Sequence, residues 1–441
     1  MPKTLTALPH QIAGAEFLAA RPRALLADAP RVGKTGASIL AADDILAARI
    51  LVITTASGRP VWVRGFAEWS AFDIPTRAVY GDLGPIDGPI RLIVSWSEVS
   101  KHAEALSKAQ WDLLILDESH YAKSVGTKRT MAVFGAFRGA SRGWGISDAA
   151  STVWCLTGTP IPNAPNDLYA MMRALCPERI EDVAKYEDFL HRYCVVRKKA
   201  ISRYNKIDVV VGGKNLDELR MRLDGFWLRR TQQDVGILPP VYELLPLHIT
   251  AAQRRKVEAS VEGAEDILAA AETGETKTLD MALGTLRRLT GTIKAAGVAA
   301  VVKEEMETAR EKVVLFAWHK DVMDELEQAL AEYGVVRIDG SVSPDKRDAA
   351  VTRFQTDPEC LVFVGQIVAA GEAIDLSAAA ELIFVESSFV PKDMAQAALR
   401  ITNHGQKRNP RVRVAALEGS IDEALQAIVV RKVATNKEIM R

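Results

Sequence analysis

The chain has 441 residues, which is enough for about two or three domains of ordinary size. Hydrophobic residues make up 48% and charged residues 25%, which is typical of a globular protein and excludes a largely disordered one. Lys+Arg and Asp+Glu both number 56, which excludes a globally basic nucleic-acid-binding surface but not a local basic groove. No apolar run has the length of a membrane helix, and the N-terminus has no signal-peptide core, so we expect neither membrane association nor export.

Short apolar runs alternate with helical patterns in the first and last thirds of the chain, as in parallel sheets with crossover helices. The predicted strands are Arg23–Ala27, Ile50–Thr54, Arg91–Ser95, Leu113–Leu116, Thr152–Leu156, Val313–Ala317, Val335–Ile338, Cys360–Val364, Glu381–Val385 and Val412–Ala416. The segment between the two groups has mostly helical periodicity. We therefore predict an α/β protein with two parallel-sheet lobes, residues 1–165 and 293–441, and a helical insertion with a linker over residues 166–292.

A phosphate-binding loop is predicted after the first strand, where Gly33, Lys34 and Thr35 open a helix. Inward backbone N–H groups, a flexible glycine and a helix N-terminus suit a phosphate group. We expect Lys34 to reach the β- and γ-phosphates and the Thr35 hydroxyl to bind Mg²⁺. Asp28 occupies the position of the first glycine in the usual GxxxxGK[ST] pattern, so the match is partial.

Two adjacent carboxylates, Asp117 and Glu118, follow the apolar strand Leu113–Leu116. We expect Asp117 to hold Mg²⁺ through water and Glu118 to polarise the water that attacks the γ-phosphate. An exposed acidic pair at an ordinary strand end is the alternative, which the phosphate loop upstream disfavours.

A basic stretch in the middle segment runs through Arg197, Lys198 and Lys199, with Arg203 and Lys206 after it. A solvated face is the simpler interpretation of this stretch, and contact with nucleic acid is the alternative.

These motifs form an ordered set that resembles superfamily 2 helicases of the Swi/Snf-related branch, and especially its annealing-helicase-like, single-chain members. The matching segments are Leu8–Gly14 (adenine recognition), Asp28–Thr35 (motif I), Asp117–His120 (a DEAH-type motif II), Leu156–Asn163 (LTGTPxxN, motif III), Phe226–Arg230 (LRR), Val313–Lys320 (motif IV), Ile338–Ser341 (DGS), Ala370–Leu376 (motif V) and Gln396–Gln406 (motif VI). The resemblance implies two RecA-like lobes with ATP between them.

The resemblance also implies roles for particular residues. The expected ATP-binding residues are Gln11, Gly33, Lys34, Thr35, Gly371, Asp375 and Arg400. The expected catalytic residues are Lys34, Glu118, Gln396 and Arg400, and the expected Mg²⁺ ligands are Thr35 and Asp117. The expected nucleic-acid contacts are Thr54, Thr55, Ser57, Ser95, Lys320 and Ser341. The expected coupling residues are His120, Thr157, Gly158 and Thr159.

Three residues depart from the family pattern. Arg31 and Ala373 stand where glycine is usual, and Asn403 replaces the second arginine of motif VI. Arg400 remains as the arginine finger, a group that can contribute about 10³–10⁵ in turnover. A neighbouring basic residue, such as His404, is one way to compensate for Asn403.

The function implied by the resemblance is ATP-dependent translocation or helicase activity on duplex or branched DNA, without sequence preference. Protein partners for targeting are possible, and a cytoplasmic location in a bacterial or phage-infected cell is expected. Two alternatives remain open: an RNA-directed helicase of the same superfamily, and an ATP-gated DNA-binding scaffold with weak turnover.

Overall fold

The computed structural model describes residues 6–158, 160–161, 164–200, 206–260, 264–273, 276–367, 374–388, 391–406 and 408–439. The chain divides into two compact units, Met1–Thr231 and Gln232–Arg441, here called the first and the second unit. Within the described ranges, no helix has the length and apolar character needed to cross a membrane.

The first unit is built on a seven-stranded sheet whose strand pairs are all parallel. The strands of this unit are β1 (Arg23–Leu26), β2 (Arg49–Thr54), β3 (Thr76–Ala78), β4 (Ile90–Ser95), β5 (Trp111–Asp117), β6 (Phe137–Arg138), β7 (Ser141–Arg142), β8 (Ala150–Leu156), β9 (Cys194–Ala200), β10 (Lys206–Gly213) and β11 (Trp227–Leu228). The sheet order is β11-β1-β8-β5-β2-β4-β3, and the pairs β6–β7 and β9–β10 are separate antiparallel hairpins.

Helices cover both faces of this sheet. They are α1 (Pro9–Ala19), α2 (Lys34–Asp44), α3 (Gly58–Trp69), α4 (Ala103–Lys108), α5 (Lys128–Phe134), α6 (Tyr169–Leu175), α7 (Tyr186–Tyr193) and α8 (Leu216–Leu223). Successive strand residues such as Leu25 and Leu26 enter two different apolar cores, because side chains alternate between the faces of a strand. Helices α1 to α3 pack into one core, and helices α5 to α8 pack into the other.

The second unit contains a six-stranded sheet whose pairs are again all parallel. Its strands are β12 (Val241–Leu247), β13 (Val313–Ala317), β14 (Val335–Ile338), β15 (Val362–Gln366), β16 (Glu381–Phe384) and β17 (Arg411–Leu417), in the order β12-β17-β16-β13-β15-β14. Its helices are α9 (Ala251–Ala259), α10 (Ala264–Thr273), α11 (Thr276–Thr308), α12 (Lys320–Ala329), α13 (Pro344–Thr356), α14 (Pro391–Ala398) and α15 (Ile421–Ile439).

The two parallel sheets confirm the predicted α/β class with two parallel-sheet lobes. The middle segment, residues 166–292, differs from the predicted helical insertion because it is shared between the units and contains strands. Strand β11 joins the edge of the first sheet beside β1, and β12 joins the edge of the second sheet beside β17. The chain on either side of the unit boundary is therefore recruited into the sheets as edge strands.

Candidate functional site

The predicted ATP-site motifs of the first unit meet at the carboxyl ends of neighbouring strands in its sheet. Gly33 and Lys34 come after β1, Thr157 comes after β8, and Asp117 ends β5, and these three strands are neighbours in the order β1-β8-β5. Because parallel strands end at the same edge and lie about 4.8 Å apart, the three motifs lie side by side.

The phosphate loop has the left-handed backbone that a glycine provides. Gly33 has φ 92°, and a Cβ at this position would lie 2.5 Å from Nε2 of Gln11, so a side chain does not fit. Lys34 starts α2, and its Nζ donates to the carbonyl oxygens of Asp28 at 2.9 Å and Ala29 at 3.3 Å. The ammonium group therefore lies within the loop, at a helix N-terminus, as a phosphate site requires.

Arg31 also has a left-handed backbone, with φ 71°. This conformation costs a residue with a Cβ about 1–2 kcal/mol. The glycine that the family carries here is therefore explained by the shape of the loop, and Arg31 adopts that shape at a cost.

Helix α1 holds the far end of the same loop. His10 Nε2 lies 2.9 Å from the carbonyl oxygen of Val32, and burial lowers the pKa of His10 below its ordinary 6.5. Burial thus favours the neutral ring, and Nε2 carries the hydrogen in this contact because a carbonyl oxygen only accepts. Gln11 is buried, its Nε2 lies 3.5 Å from the Gly33 carbonyl oxygen, and its Oε1 accepts from the Leu8 N–H at 2.9 Å.

An ion pair that the sequence did not predict fixes the start of the loop. Asp28 is 1% exposed, and it accepts hydrogen bonds from Arg230 Nε at 3.0 Å and from Arg230 Nη2. Arg230 Nη1 also donates to the His10 carbonyl oxygen. Arg230 follows β11, and the Ala29 N–H donates to the Arg230 carbonyl oxygen at 2.8 Å, which continues the pairing of β1 with β11 beyond the strand ends. One guanidinium group thus joins the loop, α1 and the end of the first unit.

Three donors orient the carboxylate of Asp117. Oδ2 accepts from Thr54 Oγ1 at 2.7 Å and Trp62 Nε1 at 2.9 Å, and Oδ1 accepts from the Glu118 N–H at 3.0 Å. Burial, and then the neighbouring Glu118 carboxylate, raise the pKa of Asp117 above its ordinary 3.8. Both causes penalise negative charge, so a cation at this carboxylate would be favoured.

The residues present fit Mg²⁺ in the manner of a nucleotide-bound ion. Asp117 supplies an oriented carboxylate, and Thr35 supplies a hydroxyl in the first turn of α2. The described part of the chain has no cluster of three or more His, Cys, Asp or Glu side chains able to hold a metal. The ion would therefore take most of its ligands from phosphates and water, as Mg²⁺ usually does.

Glu118, His120 and Thr157 form a polar triad between motifs II and III. Glu118 Oε2 lies 3.2 Å from His120 Nδ1 and 3.5 Å from Thr157 Oγ1, and the last two atoms are 3.0 Å apart. Glu118 has a left-handed backbone with φ 49°, a conformation that costs a non-glycine residue energy and that is frequent at active sites. A Cβ on Gly158 would lie 2.7 Å from Cδ of Pro30, so motif III also approaches motif I closely. Thr159 lies outside the described residues.

The predicted nucleic-acid contacts of the first unit fall into two groups. Thr54 and Ser95 are fully buried, and their hydroxyls donate to Asp117 and Glu98 respectively. Both side chains therefore support neighbouring carboxylates and are not exposed to a nucleic acid. Thr55 and Ser57 are half-buried, with hydroxyls 3.2 Å apart at the start of α3, and their predicted contact is compatible with this exposure.

Two further predicted contacts lie together in the second unit. Lys320 Nζ lies 3.4 Å from Ser341 Oγ and 3.4 Å from Asp339 Oδ1. Ser341 donates its Oγ–H and its N–H to Asp339, and these bonds lower the pKa of Asp339 to about 2. Asp339, the residue after β14, therefore positions both Ser341 and Lys320.

Motif VI packs against the end of motif V and the residue that follows it. The Leu376 N–H donates to the Arg400 carbonyl oxygen at 3.0 Å, and Asn403 Nδ2 donates to Ser377 Oγ at 2.5 Å. Gln396 and Arg400 are half-buried and Asp375 is exposed, whereas Gly371 and Ala373 lie outside the described residues. Asn403 thus makes a contact within the second unit at the position where the family carries a second arginine.

The chain matches two domain families along most of its length. The SNF2-related domain matches residues 10–297, and the helicase conserved C-terminal domain matches residues 297–405.

Curated relatives match almost the whole chain. The DNA annealing helicase and endonuclease ZRANB3 of Bos taurus is 26% identical, over 96% of this chain and 40% of that protein. The SWI/SNF-related matrix-associated actin-dependent regulator of chromatin subfamily A-like protein 1 of Xenopus laevis is 28% identical, over 97% and 43%. This chain thus spans about two fifths of the length of these relatives. The Sulfolobus solfataricus SWI2/SNF2 ATPase core in complex with dsDNA has a TM-score of 0.45 and 20% identity, over 100% of this chain and 94% of that one.

The predicted cytoplasmic location in a bacterial or phage-infected cell is wrong. Similar relatives from Bos taurus, Xenopus tropicalis and Drosophila melanogaster are eukaryotic proteins, and the last two are named as regulators of chromatin. The prediction used chain length and the lack of a targeting pattern, and neither property depends on the source of a protein.

Proposed function

Since this chain belongs to the SNF2-related family of superfamily 2 helicase-like ATPases, we propose that it hydrolyses ATP to move along duplex or branched DNA. One observation supports this proposal above the others. The phosphate loop, the Asp117–Glu118 pair and Thr157 lie at the carboxyl ends of three neighbouring strands of one sheet.

In this proposal the first unit binds the triphosphate and activates water. Backbone N–H groups at the start of α2 and the Lys34 ammonium bind the β- and γ-phosphates. Thr35 and Asp117 hold Mg²⁺, which neutralises phosphate charge when it is bound. Glu118 accepts a proton from the attacking water, and its contacts to His120 and Thr157 hold its carboxylate in place.

The second unit contributes the groups that neutralise charge in the transition state. As the family resemblance implies, Arg400 acts as the finger, and Gln396, Gly371 and Asp375 contact the nucleotide or its water. Preorganised positive charge of this kind acts most strongly where charge develops during the reaction. Turnover then depends on Arg400 as well as on the groups of the first unit that bind the triphosphate.

The Glu118–His120–Thr157 triad links the reaction to DNA in this proposal. Loss of the γ-phosphate changes what Glu118 contacts, and the triad passes that change to motif III. Thr55 and Ser57 in the first unit, and Lys320 and Ser341 in the second, contact phosphate oxygens, which carry no sequence information.

ATP turnover with no nucleic acid, single-stranded DNA, duplex DNA, forks and RNA tests the proposal. We expect duplex or forked DNA to stimulate wild-type turnover most, Lys34→Ala to abolish turnover, and Glu118→Gln to bind ATP without hydrolysing it. Greater stimulation by RNA would favour the RNA-directed alternative. DNA binding that responds to ATP without measurable turnover would favour the scaffold alternative. Wild-type turnover by Glu118→Gln would refute the role of Glu118.

A further inference from the structure

The antiparallel hairpin β9–β10 stands apart from the main sheet of the first unit. Residues 194–213 contain five basic residues and one acidic residue, in a chain whose formal net charge is +0. Arg197 and Lys198 are both exposed and follow one another in β9. Because successive side chains of a strand point to opposite faces, Arg197 and Lys198 place an exposed positive charge on each face of the hairpin, and Asp208 is the cross-strand neighbour of Lys198. A ribbon that packed one face on the protein would not have this pattern.

The base of the hairpin is anchored just after motif III. Cys194 is buried, with Sγ 3.8 Å from Oδ1 of Asn166. At the other strand end, a Cβ on Gly213 would lie 2.9 Å from Cγ of Pro165, so only a glycine permits this approach. Pro165 and Asn166 follow the Leu156–Asn163 motif after a single residue, Ala164. The basic strands therefore extend from the segment that leaves motif III.

A second contact connects this segment to motif II. Lys123 Nζ lies 3.5 Å from Asp167 Oδ2, and Asp167 Oδ2 also accepts from the Ala164 N–H at 3.4 Å. Lys123 ends the short 3₁₀ turn Ser119–Ala122, which begins immediately after Glu118. A continuous set of contacts thus runs from the carboxylate proposed to activate water to the hairpin base.

We propose that the β9–β10 hairpin grips the phosphate backbone of duplex DNA, and that its anchorage after motif III links this grip to ATP turnover. This inference rests on the proposed function and names the DNA-contacting element within it. A two-stranded ribbon fits the major groove of B-DNA, and basic side chains on both of its faces can reach phosphates on both walls. Duplex DNA is favoured over a protein partner because both faces of the ribbon carry an exposed cation, as two phosphate-lined walls require, whereas Val195 is the one exposed apolar residue among the described side chains of β9.

The test uses the full chain with Arg197→Gln and Lys198→Gln combined. The control combines Arg138→Gln, on the other hairpin of the first unit, with Lys128→Gln at the start of α5, because both residues are exposed and basic. Duplex affinity is measured at several salt concentrations. Each lost phosphate contact reduces the slope of log affinity against log salt by about 0.9, so we expect a reduction of about 1.8 for the hairpin variant and none for the control. DNA-stimulated turnover of the hairpin variant should need more DNA for half-maximal rate.

Several results would overturn the inference. A wild-type salt slope in the hairpin variant does so, as does an equal change in the control. A variant that loses RNA affinity while keeping duplex affinity identifies an RNA contact instead. Equal thermal unfolding temperatures of the variants and wild type establish that folding is intact. If the double variant is unstable, Arg197→Gln alone replaces it, and we expect this variant to reduce the salt slope by about 0.9. The proposed function fails separately, if wild-type turnover does not respond to any DNA.

Discussion

Replacement of Arg230 by alanine should destabilise the first unit severely. The guanidinium is the ion partner of Asp28, and the two side chains are 15% and 1% exposed. Removing one partner of a buried pair leaves an uncompensated charge, which costs about 3–5 kcal/mol. The His10 carbonyl oxygen loses a donor as well, so we expect Arg230→Ala to lie at the upper end of that range.

Urea denaturation followed by tryptophan fluorescence measures this loss in the first unit. Seven of the eight tryptophans lie in residues 1–231, and Trp318 is the remaining one, so the signal reports mainly the unfolding of that unit. Arg220→Ala is the matched control. Its pair with Asp217 is 60% and 93% exposed, and such a surface pair contributes less than about 1 kcal/mol.

The double variant Asp28→Asn with Arg230→Ala separates the buried charge from lost packing. Because it removes the carboxylate charge, it should recover a large part of the stability lost in Arg230→Ala. A loss below about 1 kcal/mol in Arg230→Ala, or no recovery in the double variant, would refute the assignment of this ion pair as the anchor of the loop.

Three further predictions concern single sites. The raised pKa of Asp117 means that burial of its charge costs stability as pH rises, so the wild-type first unit without Mg²⁺ should lose stability in urea denaturation as pH rises above about 3.8, and Asp117→Asn should lack this part of the pH dependence. Arg31→Gly should be more stable than Arg31→Ala by about 1 kcal/mol in the same assay, because the two differ only by a Cβ at φ 71°. With saturating DNA, Asn403→Arg should raise ATP turnover and Arg400→Ala should remove nearly all of it. Ser377→Ala breaks the same contact as Asn403→Arg without adding charge, so it should not raise turnover. Wild-type turnover in both Arg400→Ala and Asn403→Arg would contradict the role of motif VI.

Most of the strands that could be predicted from the sequence are buried on both faces. Runs such as Leu113–Leu116 are continuously apolar because helices cover both sides of a parallel sheet. Strand β11 has two residues, too few for a periodic pattern, and β9 joins valines to Arg197, Lys198 and Lys199. These segments become strands through pairing partners elsewhere in the chain, which local sequence does not reveal.

The residues of the candidate site also divide into those that local sequence reveals and those that only the fold brings together. Lys34, Asp117 and Glu118 are visible in sequence because each follows a strand in a short motif. Arg230 and Asp28 are 202 residues apart, and no local pattern connects them. The local sequence also does not reveal which side chains are buried. The prediction that Thr54 contacts nucleic acid therefore misses that its hydroxyl orients the carboxylate of Asp117.

The pairing of β12 with β17 means that the sheet of the second unit can be completed only at the end of synthesis. Strand β12 lies at the edge of its sheet, and β17, the last strand, is its neighbour in the sheet order. A ribosome completes β12 at residue 247, but its hydrogen-bonding partner begins only at residue 411. Until then, β12 presents unpaired N–H and C=O groups, the kind of edge that promotes association between chains. A chain shortened before residue 411 would keep that edge permanently, so loss of the last strand and helix should cause aggregation of the second unit.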